Sequence, residues 1–274
     1  MIITNNIDSE LINAIVKNQT NSFGNEVLYD MCVKGDMLNA RQLWNEIWLI
    51  GRSYAASPER RFVSRDGDIT VGNGTGDYFK HIANYLVKNN NYNDLCNKLA
   101  ALPPLAFNCS QNDFDNLALS IQCVEDFNGL VIKAAKDYDR KYNPSITADY
   151  KNQISFCSKF LHFQVPDSIF IIDHYTKEGA KQLFSTQCQK FVKLCNIPID
   201  NSVRFMFSNT IKSTFAAAKS NFTVSYSLRD YVTHVKRSYT LGCILKEIEQ
   251  ESAIMKGCNI SYPRLTDIIF QSIV

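Results

Sequence analysis

An all-α fold is the expectation from this sequence, and three observations carry it. Apolar residues recur at spacings of three and four through most of the chain, the signature of amphipathic helices. Glycine and proline, 11 and 7 among 274 residues, are too few and too clustered for the many turns of a β protein. With 45% hydrophobic residues the chain buries a substantial core, as one large domain or two packed lobes.

The first helix is expected in DSELINAIVKNQ, with Asp8 or Ser9 as its cap and Leu11, Ile12, Ile15 and Val16 on one face. DMLNARQLWNEIWLIGRSYAA follows as a longer helix, expected to bury Leu43, Trp44, Ile47, Trp48 and Ile50. GDYFKHIANYLVKN continues the pattern, and DFDNLALSIQCVEDFNGLVIKAAKDYDRKY predicts a long helix with an interruption near Gly129. In the C-terminal third the pattern returns in SVRFMFSNTIKSTFAAAKSN, SLRDYVTHVKRSYTLGCILKEIEQES and YPRLTDIIFQSI. ALPPLAFNCSQND, whose paired prolines forbid a helix, reads as the connection between two lobes, 1–105 and 106–274. A glycine-rich stretch, SRDGDITVGNGTGD, belongs to the first lobe.

Charge excludes little in bulk, because 29 basic and 27 acidic residues leave a net +2. Nine cysteines form no CxxC pair, so they read as small apolar residues in a reducing cytoplasm, with no metal and no cofactor expected. No apolar run reaches the length of a membrane helix, which is about 20 residues, and the N-terminus lacks a signal-peptide pattern.

Several segments bear on chemistry. GNGTGD lacks both the GxxxxGK[ST] order and the strand–GxGxxG–helix context of a nucleotide loop, so it reads as a surface turn. Ser57-Pro58-Glu59 looks like a helix start, and Arg60, Arg61 and Arg65, with Arg52 before them, are candidate phosphate clamps. The alternative is that Arg52, Glu59 and these arginines form structural ion pairs. Between Asn201 and Thr240 six cations face one acid, a local net of +5. Lys212, Lys236 and Arg237 there are candidate nucleic-acid contacts, with Phe205, Phe207, Phe215, Phe222, Tyr226, Tyr231 and Tyr239 interleaved as either stacking or core residues.

The segment from Gln153 to Leu183, QISFCSKFLHFQVPDSIFIIDHYTKEGAKQL, has its own logic. A helix carrying Phe156, Lys159, Phe160 and Phe163 stops before Pro166, an apolar turn follows, and Asp173 stands where the next helix is capped. This order, with a lysine in the first helix and an aspartate opening the second, resembles the helix-hairpin-helix DNA glycosylase superfamily. Lys159 matches the hairpin lysine, FIID the apolar run, and DHY the segment that opens the next helix.

The resemblance implies an enzyme that excises a damaged or modified base from double-stranded DNA after flipping it out of the stack. Asp173 would face the oxocarbenium-like sugar, and Lys159 would attack its carbon to form a Schiff base in a bifunctional enzyme. Phe160, His162, Phe163, His174 and Tyr175 would line the base pocket, in a cleft between the lobes. Directed against modified viral DNA, the product is an abasic site that blocks replication, so antiviral defence is the expected setting. Two alternatives stay open. One is a non-catalytic nucleic-acid-binding or adaptor protein on the same scaffold, which SFCS in place of hairpin glycines favours. The other is a protein–protein interaction module, which the near-neutral total charge favours.

Overall fold

The computed structural model describes residues 23–33, 35–54, 58–59, 76–108, 110–145, 149–184, 228–251 and 260–274. Among these the regular elements are nine α-helices, so the described residues are all-α, as the periodicity predicts. They are α1 (Phe23–Val33), α2 (Ala40–Ser53), α3 (Gly76–Val87), α4 (Asn90–Ala100), α5 (Gln111–Tyr142), α6 (Ile154–Gln164), α7 (His174–Leu183), α8 (Arg229–Glu251) and α9 (Tyr262–Ile273). The helices expected around residues 8–19 and 202–221, and the glycine-rich turn up to residue 75, lie outside the described residues.

Two compact units divide the chain, and they interleave rather than follow one another as lobes 1–105 and 106–274. The first unit holds residues 25–102 and 120–165; the second holds 103–119 and the chain from 166 onward. The cause is α5, whose 32 residues begin in the second unit and continue into the first. At 1.5 Å per residue this helix is about 48 Å long, and it passes Gly129 without the interruption expected there.

In the first unit α2 packs on α3 and α6, and α3 packs on α4. Asn39 caps α2, its side-chain oxygen accepting from the Arg41 and Gln42 backbone N–H groups at 3.0 and 3.1 Å. Leu43, Ile47 and Ile50 are wholly buried, but Trp48 is 44% exposed. The inward stripe instead runs Leu43, Glu46, Ile47, Ile50, which is the helical i, i+3, i+4, i+7 series, and Trp48 falls one step beyond it. Helix α6 is buried on every side from Phe156 through Phe163, polar Ser158, Lys159 and His162 included, with Phe160 stacked on Phe127 at a centroid distance of 5.0 Å. Helix α4 had no counterpart in the expectations, although Tyr92, Leu95 and Leu99 form its buried face and Asn89 caps it.

In the second unit α9 packs on both α7 and α8. Asp113, buried in the first turn of α5, organises the proline-containing connection. It accepts the Ala106 and Asn108 N–H groups at 2.7 and 3.0 Å and the Tyr239 hydroxyl at 2.6 Å. Phe107, between those two amides, takes a positive φ of 52°, a conformation costly for a bulky residue. Its buried ring, stacked on Tyr239 at 5.4 Å and tilted against Tyr262 at 4.9 Å, offsets that cost.

Cys32, Cys123 and Cys157 are free and buried, and burial pushes all three thiols up, Cys123 to about 12. A maleimide at pH 7.5 is therefore expected to label none of the three in the folded chain and all of them in guanidinium, as read by peptide mass mapping. Labelling of any one within minutes in buffer would contradict this packing.

Candidate functional site

The site builds from the residues before Asp173. Ile169, Phe170, Ile171 and Ile172 form a buried run outside any helix, and α8 supplies partners for the Phe170 and Ile171 carbonyls. The Tyr231 hydroxyl donates to Phe170 O at 3.0 Å, and His234 Nε2 donates to Ile171 O at 2.8 Å. Upstream, the Leu105 N–H bonds Asp167 O at 3.2 Å and the Ser168 hydroxyl bonds Pro103 O at 2.8 Å. Backbone polar groups of a buried run need such partners, since each one left unmet costs about 1–3 kcal/mol.

Asp173 then opens α7 through a reciprocal capping box. Its Oδ1 accepts the Thr176 N–H at 2.9 Å, and Thr176 Oγ1 accepts the Asp173 N–H at 2.8 Å. Thr176 is fully buried while Asp173 keeps partial solvent access, so the carboxylate is fixed in place at an accessible helix N-terminus. The helix start and the capping role agree with the expectation for Asp173. His174 and Tyr175 follow on the exposed side, their rings edge to face at 5.5 Å, with Tyr175 61% exposed.

Around this turn the second unit gathers further charge. His234 is wholly buried, and burial pulls its pKa down to about 4 against the opposing pull of the Ile171 carbonyl and the Asp173 charge. It is therefore neutral at pH 7, with the proton on Nε2 and a buried Nδ1 that has no hydrogen bond among the described residues. Lys177 Nζ lies 2.5 Å from Asp230 Oδ2, and this bond holds the Asp230 carboxyl below its ordinary value. Burial lowers the Arg237 guanidinium, with Asp230 and Glu178 opposing. Neither His234 nor Lys177 stood out in the sequence; Thr176, three residues after Asp173, is the one signal that a capping-box pattern would have found.

The other expected site residues divide by unit. Lys159, Phe160, His162 and Phe163 lie on α6 of the first unit, and all are buried. Lys159 is 3% exposed with its ammonium 5.3 Å above the Tyr54 ring, not on a solvated helix face. His162 Nε2 lies 2.7 Å from the Tyr29 hydroxyl, and Phe163 packs between Tyr29 and Tyr54 at 4.8 and 5.5 Å. Phe160, His162 and Phe163 have no exposed surface on which a base would stack. Arg52 pairs with Glu59 at 3.3 Å and sits 5.7 Å above Phe79, which is the structural ion pair of the alternative reading. Lys236 and Arg237 are partly exposed on α8, whereas Tyr231 and Tyr239 beside them are core. Arg60, Arg61, Arg65 and Lys212 lie outside the described residues, as do the aromatics from Phe205 to Tyr226.

Among the described residues no helix is long and apolar enough to cross a membrane, and no group of three or more His, Cys, Asp or Glu is placed to hold a metal ion. No protein-family model, curated protein or solved structure matches the chain.

Proposed function

We propose that the chain is a DNA N-glycosylase that removes a damaged or modified base, with Asp173 as the carboxylate facing the reacting sugar. The observation that carries this reading is the placement of Asp173: locked by a capping box at an accessible helix N-terminus, at the end of a run that α8 holds rigid. A fixed carboxylate of this kind stabilises developing positive charge on a sugar without reorganising as the bond breaks. Exposed Tyr175 offers a ring for a base taken out of the stack, and partly exposed Lys236 and Arg237 supply positive charge for the strand. Burial of Lys159 favours attack by water over Schiff-base chemistry, because an amine under Tyr54 does not meet the sugar carbon.

The test is release of free base, by mass spectrometry, from duplex DNAs carrying different base modifications. Asparagine is as good an N-cap as aspartate, so Asp173→Asn removes the charge and keeps the helix start. Base release is expected to fall at least a hundredfold, with the melting temperature within about 2 °C of wild type. A wild-type chain that releases no base, or a variant as active as wild type, sinks the reading.

A second reading is a non-catalytic nucleic-acid-binding protein on the same scaffold, which the burial of Phe160, His162 and Phe163 favours. Salt-dependent DNA binding without base release is its signature.

A further inference from the structure

In the first unit α3 and the last turns of α5 line an open groove of about 740 Å³. That volume lies in the range of small-molecule sites. Its wall carries an aromatic cluster: Tyr138 and Tyr142 lie 4.8 Å apart, and the His81 ring meets Tyr138 edge on at 5.3 Å. Tyr142 is 54% exposed, and Lys141 Nζ lies 5.1 Å over its ring. Lys80, Lys88 and Lys141 stand on the same lining, and none has an ion-pair partner among the described residues.

Two acids face these lysines, Asp77 and Asp137, and Asp137 is already engaged by Arg140 at 2.5 Å, so the groove keeps an excess of positive charge. His81 Nε2 lies 3.2 Å from Asp137 Oδ2 without forming an aligned hydrogen bond, and it is buried with no hydrogen-bond partner. Burial lowers the His81 pKa despite Asp137, so the ring is neutral near pH 7 and stands in the wall beside Tyr138 as part of its aromatic surface. Asn84, also on the lining, adds an amide that both donates and accepts.

We propose that this groove binds a nucleotide, its base against Tyr138 and Tyr142, its edge read by Asn84, and its phosphate held by Lys80, Lys88 and Lys141. An acidic peptide would use the lysines but leave the rings and the amide without a role. The same chemistry comes from two sources, a free nucleoside phosphate or one unit of a single strand. Neither depends on Asp173 or on base excision.

The test uses the full chain with fluorescently labelled ATP and, separately, a labelled ten-residue oligo(dA), followed by anisotropy. At least one probe is expected to bind, weakened about tenfold or more by Lys141→Glu and about fivefold or more by Tyr142→Ala. Both positions are exposed, and circular dichroism checks that each variant folds. Lys133→Ala, a lysine off this groove, is expected to bind as wild type does. Binding of ATP alone identifies a free nucleotide. Binding of oligo(dA), with log Kd rising against log salt at a slope of about 2 for three lysines, identifies a strand. Binding of neither probe, binding indifferent to both variants, or competition by inorganic pyrophosphate as strong as by the nucleotide would overturn the proposal.

Discussion

Gly179→Ala is expected to destabilise the chain by about 3 kcal/mol or more, the upper end for an overpacked contact. Intrinsic helix propensity gives the opposite sign, since alanine in a helix interior is favoured over glycine by about 1 kcal/mol. Geometry decides between them. A Cβ on Gly179 would overlap the carbonyl oxygen of Phe270 and stand 2.6 Å from its carbonyl carbon. That neighbour is backbone of α9 and has no rotamer to yield, so α7 and α9 must separate, and α9 is also packed on α8. A displaced α7 takes Asp173 and its capping box with it. Gly129→Ala is the control. It lies mid-way along α5 with nothing within 4 Å of an added Cβ, so propensity acts alone and a gain of about 0.5–1 kcal/mol is expected. Urea unfolding of both variants reads the two signs; a stabilised Gly179→Ala would show that these helices are not in backbone contact.

These two glycines mark what the sequence does and does not disclose. Both sit inside helical periodicity, and the expected interruption at Gly129 is absent, because one glycine costs a 32-residue helix little when its neighbours pack. What separates them is a neighbour distant in the chain, and periodicity carries no information about that. The same limit explains Trp48 and Glu46: hydropathy assigns the tryptophan to the core, but the buried stripe of α2 is set by α3 and α6, which leave Trp48 outside and Glu46 inside. Asp173 was legible because capping is a local rule, satisfied within four residues. The anchoring of FIID by Tyr231 and His234 was not, since those partners lie some sixty residues further along. Lys159 shows the converse error. A lysine in the first helix of the hairpin-like segment suggests an amine within reach of a sugar, yet the helix is buried on every side and takes the lysine in with it, over Tyr54.

Glu46 should make stability fall as pH rises, and the size of the effect is set by its burial. The side chain has no solvent exposure; Oε1 accepts from the Gln42 amide at 3.0 Å and Oε2 from the Gln164 amide at 2.9 Å. Burial raises its pKa from 4.5 to about 7, against the pull of both amides and with a further push from Asp36. Below pH 4.5 folded and unfolded chains both carry the proton, and the contribution is fully present. Between 4.5 and 7 the unfolded chain releases its proton first, so stability falls, and above about 7 the loss is complete. The difference in pKa corresponds to about 3 kcal/mol. His234 acts in the opposite direction across nearly the same window. Its folded pKa of about 4, against an ordinary 6.5, makes stability rise with pH from 4 to 6.5. The two buried groups therefore largely cancel in the wild type, and the informative quantity is the difference between wild type and Glu46→Gln. Glutamine cannot ionise, and the one neighbouring amide that must turn to meet its N–H₂ group adds an offset independent of pH. Urea unfolding across the range should show the variant gaining on wild type from pH 4.5 upward, by about 3 kcal/mol above pH 7. A difference that stays flat from pH 5 to 8 would mean that Glu46 is solvated in the folded chain and that the α2 core is not closed around it.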